Sequence, residues 1–183
     1  MDILKEIITL QQQLTKLEHK HWVDNVLFSF NWWLLLCIFI VPWIIWWKLV
    51  DKRRIREILL YGFIIMVLSS ILDDLGIASL LWTYPYQLLQ ILDRLNAIDL
   101  TVLPVMYMLI YQYYPKWKSF LIAHVLLSFF SAFIAEPILV RLNIYVPLLW
   151  KFIYSFPIYI LIAVIVKWLT DKVSEISKSS CRS

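Results

Sequence analysis

The residues able to do chemistry in this chain are a few acids and one histidine set inside apolar sequence. The run 120–141, FLIAHVLLSFFSAFIAEPILVR, is long enough to cross a bilayer and carries His124 and Glu136. A charge at membrane depth costs roughly 2.5 kcal/mol or more, so such a group is expected to face a bundle interior and a partner. His124, Ser128, Ser131, Ala132, Ala135 and Glu136 follow helical spacing and share one side of a helix, while Leu126, Phe129, Phe133 and Ile134 cover much of the rest. Upstream, Gly62, Met66, Ser69, Asp73 and Gly76 recur at steps of four and three, the small or polar face by which membrane helices approach closely. Asp74 forms a second short row with Ser70, and Asp99 stands near the start of a further apolar run.

Asp73, Asp74, Asp99 and Glu136 therefore make a candidate polar site. Three chemistries are open to it. The acids can pair with Arg94, Arg141 or Lys151 and knit the bundle, line a solvent-reachable binding or proton-linked site, or hold a divalent cation through oxygen ligands. Bland explanations exist for some of them: LDDLG at 72–76 is also helix-ending sequence, and a helix dipole alone favours an acid at the position of Asp99. His124 lies three turns from Glu136, too far for direct acid–base partnership on one helix, and reads as a packed helix residue. The chain has no HExxH, no Cys-His metal spacing, no Walker loop and no dinucleotide fingerprint. No catalytic residue and no cofactor is expected, and whether a metal is held is open.

The elements that must position these acids follow from the apolar blocks. We expect an all-α, polytopic membrane bundle of five transmembrane helices at about 28–50, 58–81, 97–114, 120–141 and 148–169, making a membrane domain over 26–170. Ahead of it, residues 1–25 predict an amphipathic helix. Ile3, Ile7, Leu10, Leu14 and Leu17 form its stripe, which suits the membrane surface, with self-pairing or docking on a loop as alternatives. Leu88, Ile91, Leu92 and Leu95 suit a short interfacial helix between the second and third spans. The tail 171–183 is polar and Ser-rich and is expected to be disordered beyond its first turn. Pro42, Pro104 and Pro157 fall inside spans. Trp32, Trp33, Trp43, Trp46 and Trp47 frame the first span as an aromatic belt. Cys37 and Cys181 are expected to be free thiols.

Composition supports this class. Of 183 residues, 62% are hydrophobic and only 16% charged, with two glycines and ten tryptophans, against about one quarter charged in soluble domains. The formal charge of +4 does not point to nucleic acid, because the basic residues cluster beside the spans. Lys48, Lys52, Arg53, Arg54 and Arg56 crowd the first connection, with an anionic-lipid site as the functional alternative to a topology mark. In a five-span arrangement that side holds eleven Lys and Arg, the other six. The positive-inside rule then puts the N-terminus outside and the C-terminus in the cytoplasm, with all four acids in the outer third or at the outer interface.

From about Lys52 to Leu169 the chain resembles a family of small multi-span membrane proteins of Bacillus, Clostridium and related spore-forming Firmicutes, known by a clostridial locus name. The resemblance rests on the basic run before span two, Tyr84-Pro85, Asp99 with Pro104 and Tyr111-Gln112, Glu136 in span four, and the approach from Tyr145 to Trp150. It implies a bacterial plasma-membrane protein and no particular activity, and it favours Asp99 and Glu136 among the acids. The functional expectation is a non-enzymatic binding or transport-like module with an acidic site near the outer face. A structural or regulatory subunit is the alternative, and a lipid-modifying enzyme the third reading. The expected partners are the lipid bilayer and either a second copy, which a complete carrier would require, or another membrane protein.

Overall fold

The apolar runs are helical in the structure, a computed structural model that describes residues 2–90, 95 and 97–180. Helix α1 (Asp2–His21) ends in a π-helical turn, Trp22–Val26, and is followed by α2 (Phe30–Leu49) and α3 (Ile55–Ala78). A second π-helical turn, Ile98–Val102, opens α4 (Leu103–Tyr113). Helix α5 (Trp117–Phe130) passes through a third, Ser131–Ala135, into α6 (Glu136–Arg141), and α7 (Phe152–Ser180) closes the chain. The only strands among the described residues are β1 (Trp82–Thr83) and β2 (Val146–Pro147), paired antiparallel with Trp82 opposite Pro147.

Four helices are long and apolar enough to cross a bilayer: Phe30–Leu49, Ile55–Ala78, Trp117–Arg141 and Phe152–Ile176. The remaining apolar helix, Ile98–Tyr113, is shorter than the roughly 20 residues that a 30 Å hydrocarbon core requires. It packs against α3 and α2. At one end the Ser69 hydroxyl donates to the Asp99 carbonyl, and at the other Gln112 bonds both Leu49 and Asp51. The outward faces of the long helices are apolar, with Ile44, Phe63, Ile71, Leu126, Phe129 and Leu161 exposed, as a lipid environment demands.

Proline explains two of the three wide turns. Pro104 and Pro137 lack an N–H and their rings clash with the carbonyl four residues back. In each case the residue just before the proline reaches one residue farther, Leu103 N–H to the Ile98 carbonyl and Glu136 N–H to the Ser131 carbonyl. The consequence for Glu136 is geometric. Twelve residues separate it from His124, which on a plain α-helix would leave it about 120° around the axis. The extra residue absorbed by the π turn reduces that to about 20°. Phe120, His124, Ser128, Ala132 and Glu136 accordingly form one buried row.

The predicted small face of the second span is also inward: Gly62, Ser69, Asp73 and Gly76 are all buried. LDDLG is helical, and α3 ends beyond it, with Leu80 in the left-handed region and its successor bonded back to the Gly76 carbonyl. Two expectations change. The segment 84–90 follows turns, and most of the rest of the expected interfacial helix lies outside the described residues. The tail is helical as far as Ser180, because Lys167–Asp171 and Lys172–Glu175 pairs and the buried Thr170 continue the helix past residue 170. Cys37 is a free, exposed thiol, and Cys181 lies outside the described residues.

The two glycines should respond differently to the same change. A Cβ on Gly76 would fall 1.9 Å from the rigid Trp82 ring, whereas one on Gly62 would meet the flexible end of Met108 at 2.3 Å. Gly76→Ala should lower the thermal midpoint in detergent by the equivalent of about 1–3 kcal/mol, and Gly62→Ala by less. Equal midpoints for the two variants would contradict this packing.

Candidate functional site

Three of the four acids come together. Asp73 near the end of α3, Asp99 in the π turn before α4, and Glu136 at the start of α6 all line one cavity of about 310 Å³ at the end of the bundle that carries β1 and β2. All three are at most 8% exposed. Asp74 is exposed and is not part of the lining. Among the described residues no three His, Cys, Asp or Glu side chains come close enough to hold a metal ion together.

Neutral donors meet the carboxyls of Asp73 and Glu136. The Trp82 indole donates to Asp73 Oδ1 at 2.8 Å and the Tyr84 hydroxyl to the same oxygen at 2.7 Å, while the Leu95 N–H reaches Oδ2 at 3.4 Å. The Asp73 carboxyl also lies within electrostatic reach of the Asp99 side chain. Glu136 Oε1 accepts from the Tyr159 hydroxyl at 2.7 Å and Oε2 from Ser155 at 3.2 Å. Ser155 in turn accepts from the Trp150 indole, and the Tyr107 hydroxyl donates to the Tyr159 carbonyl. Arg141 and Lys151, expected as ion-pair partners, are both exposed, and Arg94 lies outside the described residues.

These donors are the functional residues that sequence reasoning missed. In the sequence Trp82 and Tyr84 lie in a connection, Tyr145 in a short turn, and Trp150 and Tyr159 at the start and in the interior of the expected fifth span. One signal could have found them: a buried carboxyl needs donors, and aromatic side chains with polar tips at the same depth are the ones within reach. The strand pair β1–β2 holds Trp82 beside Trp150, whose rings meet edge-on at 5.0 Å. The Leu81 carbonyl accepts from the N–H groups of Leu148, Leu149 and Trp150, which fastens the same two segments together.

His124 does not belong to the cavity. It is fully buried, bonded to the Phe120 carbonyl at 3.2 Å, and packed against the Phe120 and Tyr107 rings. A second polar cluster occupies the opposite end of the bundle. There Lys167, only 3% exposed, pairs with Asp171 at 3.1 Å and lies over the rings of Tyr111, Trp117 and Phe120. The Tyr111 hydroxyl lies within hydrogen-bond distance of Asp171 and of Glu57, with one proton to donate between them, and Glu57 also pairs with Arg54. Cation–π contact and one carboxylate together make a buried lysine tolerable; on sequence alone Lys167 looked like a charge at the membrane face.

Burial pushes the Tyr84 phenol well above its ordinary value, with the neighbouring Asp73 charge adding to the effect. Burial likewise raises Tyr145, helped by Glu136 and Asp73. In the unfolded chain both titrate near pH 10. Above that pH the unfolded state loses protons that the folded state keeps, so these groups contribute stability below pH 10 that is lost as pH rises. Tyr145→Phe should therefore show a shallower fall in unfolding midpoint between pH 10 and 12 than the unaltered protein. Parallel curves would mean that Tyr145 is solvated.

In comparisons with family models, with curated proteins and with solved structures, none matches this chain.

Proposed function

We propose that this chain is a five-span bacterial plasma-membrane protein, with its N-terminus outside and C-terminus in the cytoplasm, that binds a small ligand in the cavity between its outer ends and serves as a non-enzymatic binding or transport-like module. The observation that carries the reading is the convergence of Asp73, Asp99 and Glu136, from three separate elements, on one cavity with otherwise largely apolar and aromatic walls. Such a pocket, with a few polar groups set in apolar surface, is the usual form of a small-molecule site. Supporting the fifth span, Ile98–Tyr113 carries the chain from one end of the bundle to the other. Orientation rests on the excess of Lys and Arg at the end opposite the cavity, and the bacterial plasma membrane on the family resemblance.

One observation favours a second reading, a subunit that holds a partner. No residue of α1 is buried, and its stripe of Ile3, Ile7, Leu10, Leu14 and Leu17 is exposed. Its C-terminal end is tied down, by His19 to Gln90 and His21 to the Pro85 carbonyl among the described residues. Deleting residues 1–25 would release a co-purifying protein if that reading holds, and would leave ligand binding intact if the cavity is the working part.

Two measurements test the proposal. A screen of small metabolites against the purified protein should find one that raises its thermal midpoint, by the equivalent of ~2.7 kcal/mol at a hundred times its Kd. Glu136→Gln should cancel that shift while the unliganded midpoint stays near normal, since the Gln oxygen still accepts from Tyr159 and its NH2 can donate to the Ser155 hydroxyl oxygen, whose own proton then turns elsewhere. If instead the unliganded midpoint drops and no compound shifts it, the acids only knit the bundle. For topology, Lys151→Cys in a background carrying both Cys37→Ser and Cys181→Ser should react with an impermeant maleimide from outside intact cells. Labelling only after lysis would reverse the orientation.

A further inference from the structure

The chemistry of the cavity wall narrows what it can hold. Among its described lining residues the charged side chains are Asp73, Asp99 and Glu136, and none is basic. An anionic ligand would meet like charge at each of them. A hard divalent cation wants six or more oxygens in a closed shell, and the described acids do not gather into a three-residue cluster that could begin one. The walls between the acids are instead aromatic: Trp82, Tyr84, Tyr145, Trp150 and Tyr159. Aromatic faces attract organic cations and cover their apolar parts at the same time.

A second observation is independent of the acids. Tyr145 is 6% exposed and lines the cavity, yet its hydroxyl has no hydrogen-bond partner among the described residues, while its ring packs on Tyr84 and Phe152. It stands within electrostatic reach of both Glu136 and Asp73. The residue is buried as a whole while its hydroxyl oxygen keeps access to open space. A hydroxyl open to the cavity and within electrostatic reach of two carboxyls supplies an acceptor for an N–H and a donor in return.

Resting on the binding reading above, the geometry points to a small organic ammonium ion as the ligand: a protonated amine whose N–H groups are shared among Glu136, Asp73 and the Tyr145 hydroxyl, with its hydrocarbon body against the indole and phenol rings. An ammonium has three donors and no acceptor, which matches a wall rich in acceptors. The volume, about 310 Å³, is at the small end of ligand pockets, which begin near 300 Å³, so the body is no larger than one ring or a short chain.

The test is calorimetric titration of the full chain in detergent with 2-phenylethylammonium, butylammonium and 1,4-diaminobutane. The neutral 2-phenylethanol and the anionic phenylacetate are titrated alongside. At least one ammonium should bind at least about tenfold more tightly than the alcohol, and phenylacetate more weakly than either. Glu136→Gln should erase the preference for ammonium over alcohol, and Tyr145→Phe, which removes a hydroxyl with no structural partner, should weaken ammonium binding several-fold without changing the midpoint of the free protein. Equal binding of ammonium and alcohol would overturn the ligand class and leave the binding site standing. Binding of none of the probes, while another compound raises the midpoint, would also overturn the class alone. If no compound of any charge binds, the binding reading fails with it.

Discussion

A carboxyl group held in an apolar medium has to be met by donors, and the helix that carries it has already spent most of its own N–H groups on its backbone. This constraint shapes the cavity end of the molecule. Asp73 reaches out of α3 to Trp82, Tyr84 and Leu95, and so draws the connection after α3 back over the bundle. Glu136 does the same with α7 through Ser155 and Tyr159. Because Trp82 and Trp150 then lie edge to edge, and β1 pairs with β2, the two connections form a single cover over the acids. Breaking one of these hydrogen bonds in a buried setting leaves a polar group without a partner, which costs more than the bond itself contributes.

Backbone geometry prepares the acids for those partners. The π turns that precede Pro104 and Pro137 carry Asp99 and lead directly into Glu136, so the same residue that removes a helical hydrogen bond also sets the register of the acid beside it. Gly76 makes the matching allowance on α3. Having no Cβ, it lets the Trp82 ring lie flush on the helix within reach of Asp73 one turn earlier. The two ends of the bundle thus handle charge differently. At the cavity end Asp73 and Glu136 are met by neutral donors, and at the other Lys167 and Arg54 neutralise Asp171 and Glu57 around Tyr111.

How much of this was legible beforehand depends on the range of the interactions. The apolar runs, the inward face of α3 and the burial of His124, Ser128 and Ala132 follow from composition and periodicity, because burial of a helix face is a local property of its sequence. Glu136 joins that row only through the π turn before Pro137, which helical spacing alone does not show. The expectation that Arg94, Arg141 or Lys151 would serve as counter-ions treated charge as the cheapest partner. For Asp73 and Glu136 the structure places indoles and hydroxyls there instead, groups that carry no charge of their own to desolvate. The helical continuation past residue 170 was missed because its support, Lys167 under three aromatic rings and Asp171 on Tyr111, comes from other helices.

By itself, then, the sequence determined an all-helical chain with apolar helices long enough to span a membrane, since hydropathy and helical period act along the chain, and it offered four acids as candidates for one polar site. Only the tertiary structure decided that Asp73, Asp99 and Glu136 share one cavity, that Asp74 does not, and that Trp82, Tyr84, Trp150, Ser155 and Tyr159 build its wall. The physical reason is that each hydrogen bond closing the site around Asp73 and Glu136 joins residues separated by a turn of chain or more, and their meeting depends on helix packing, on two proline-induced wide turns and on a glycine whose missing side chain makes room for an indole.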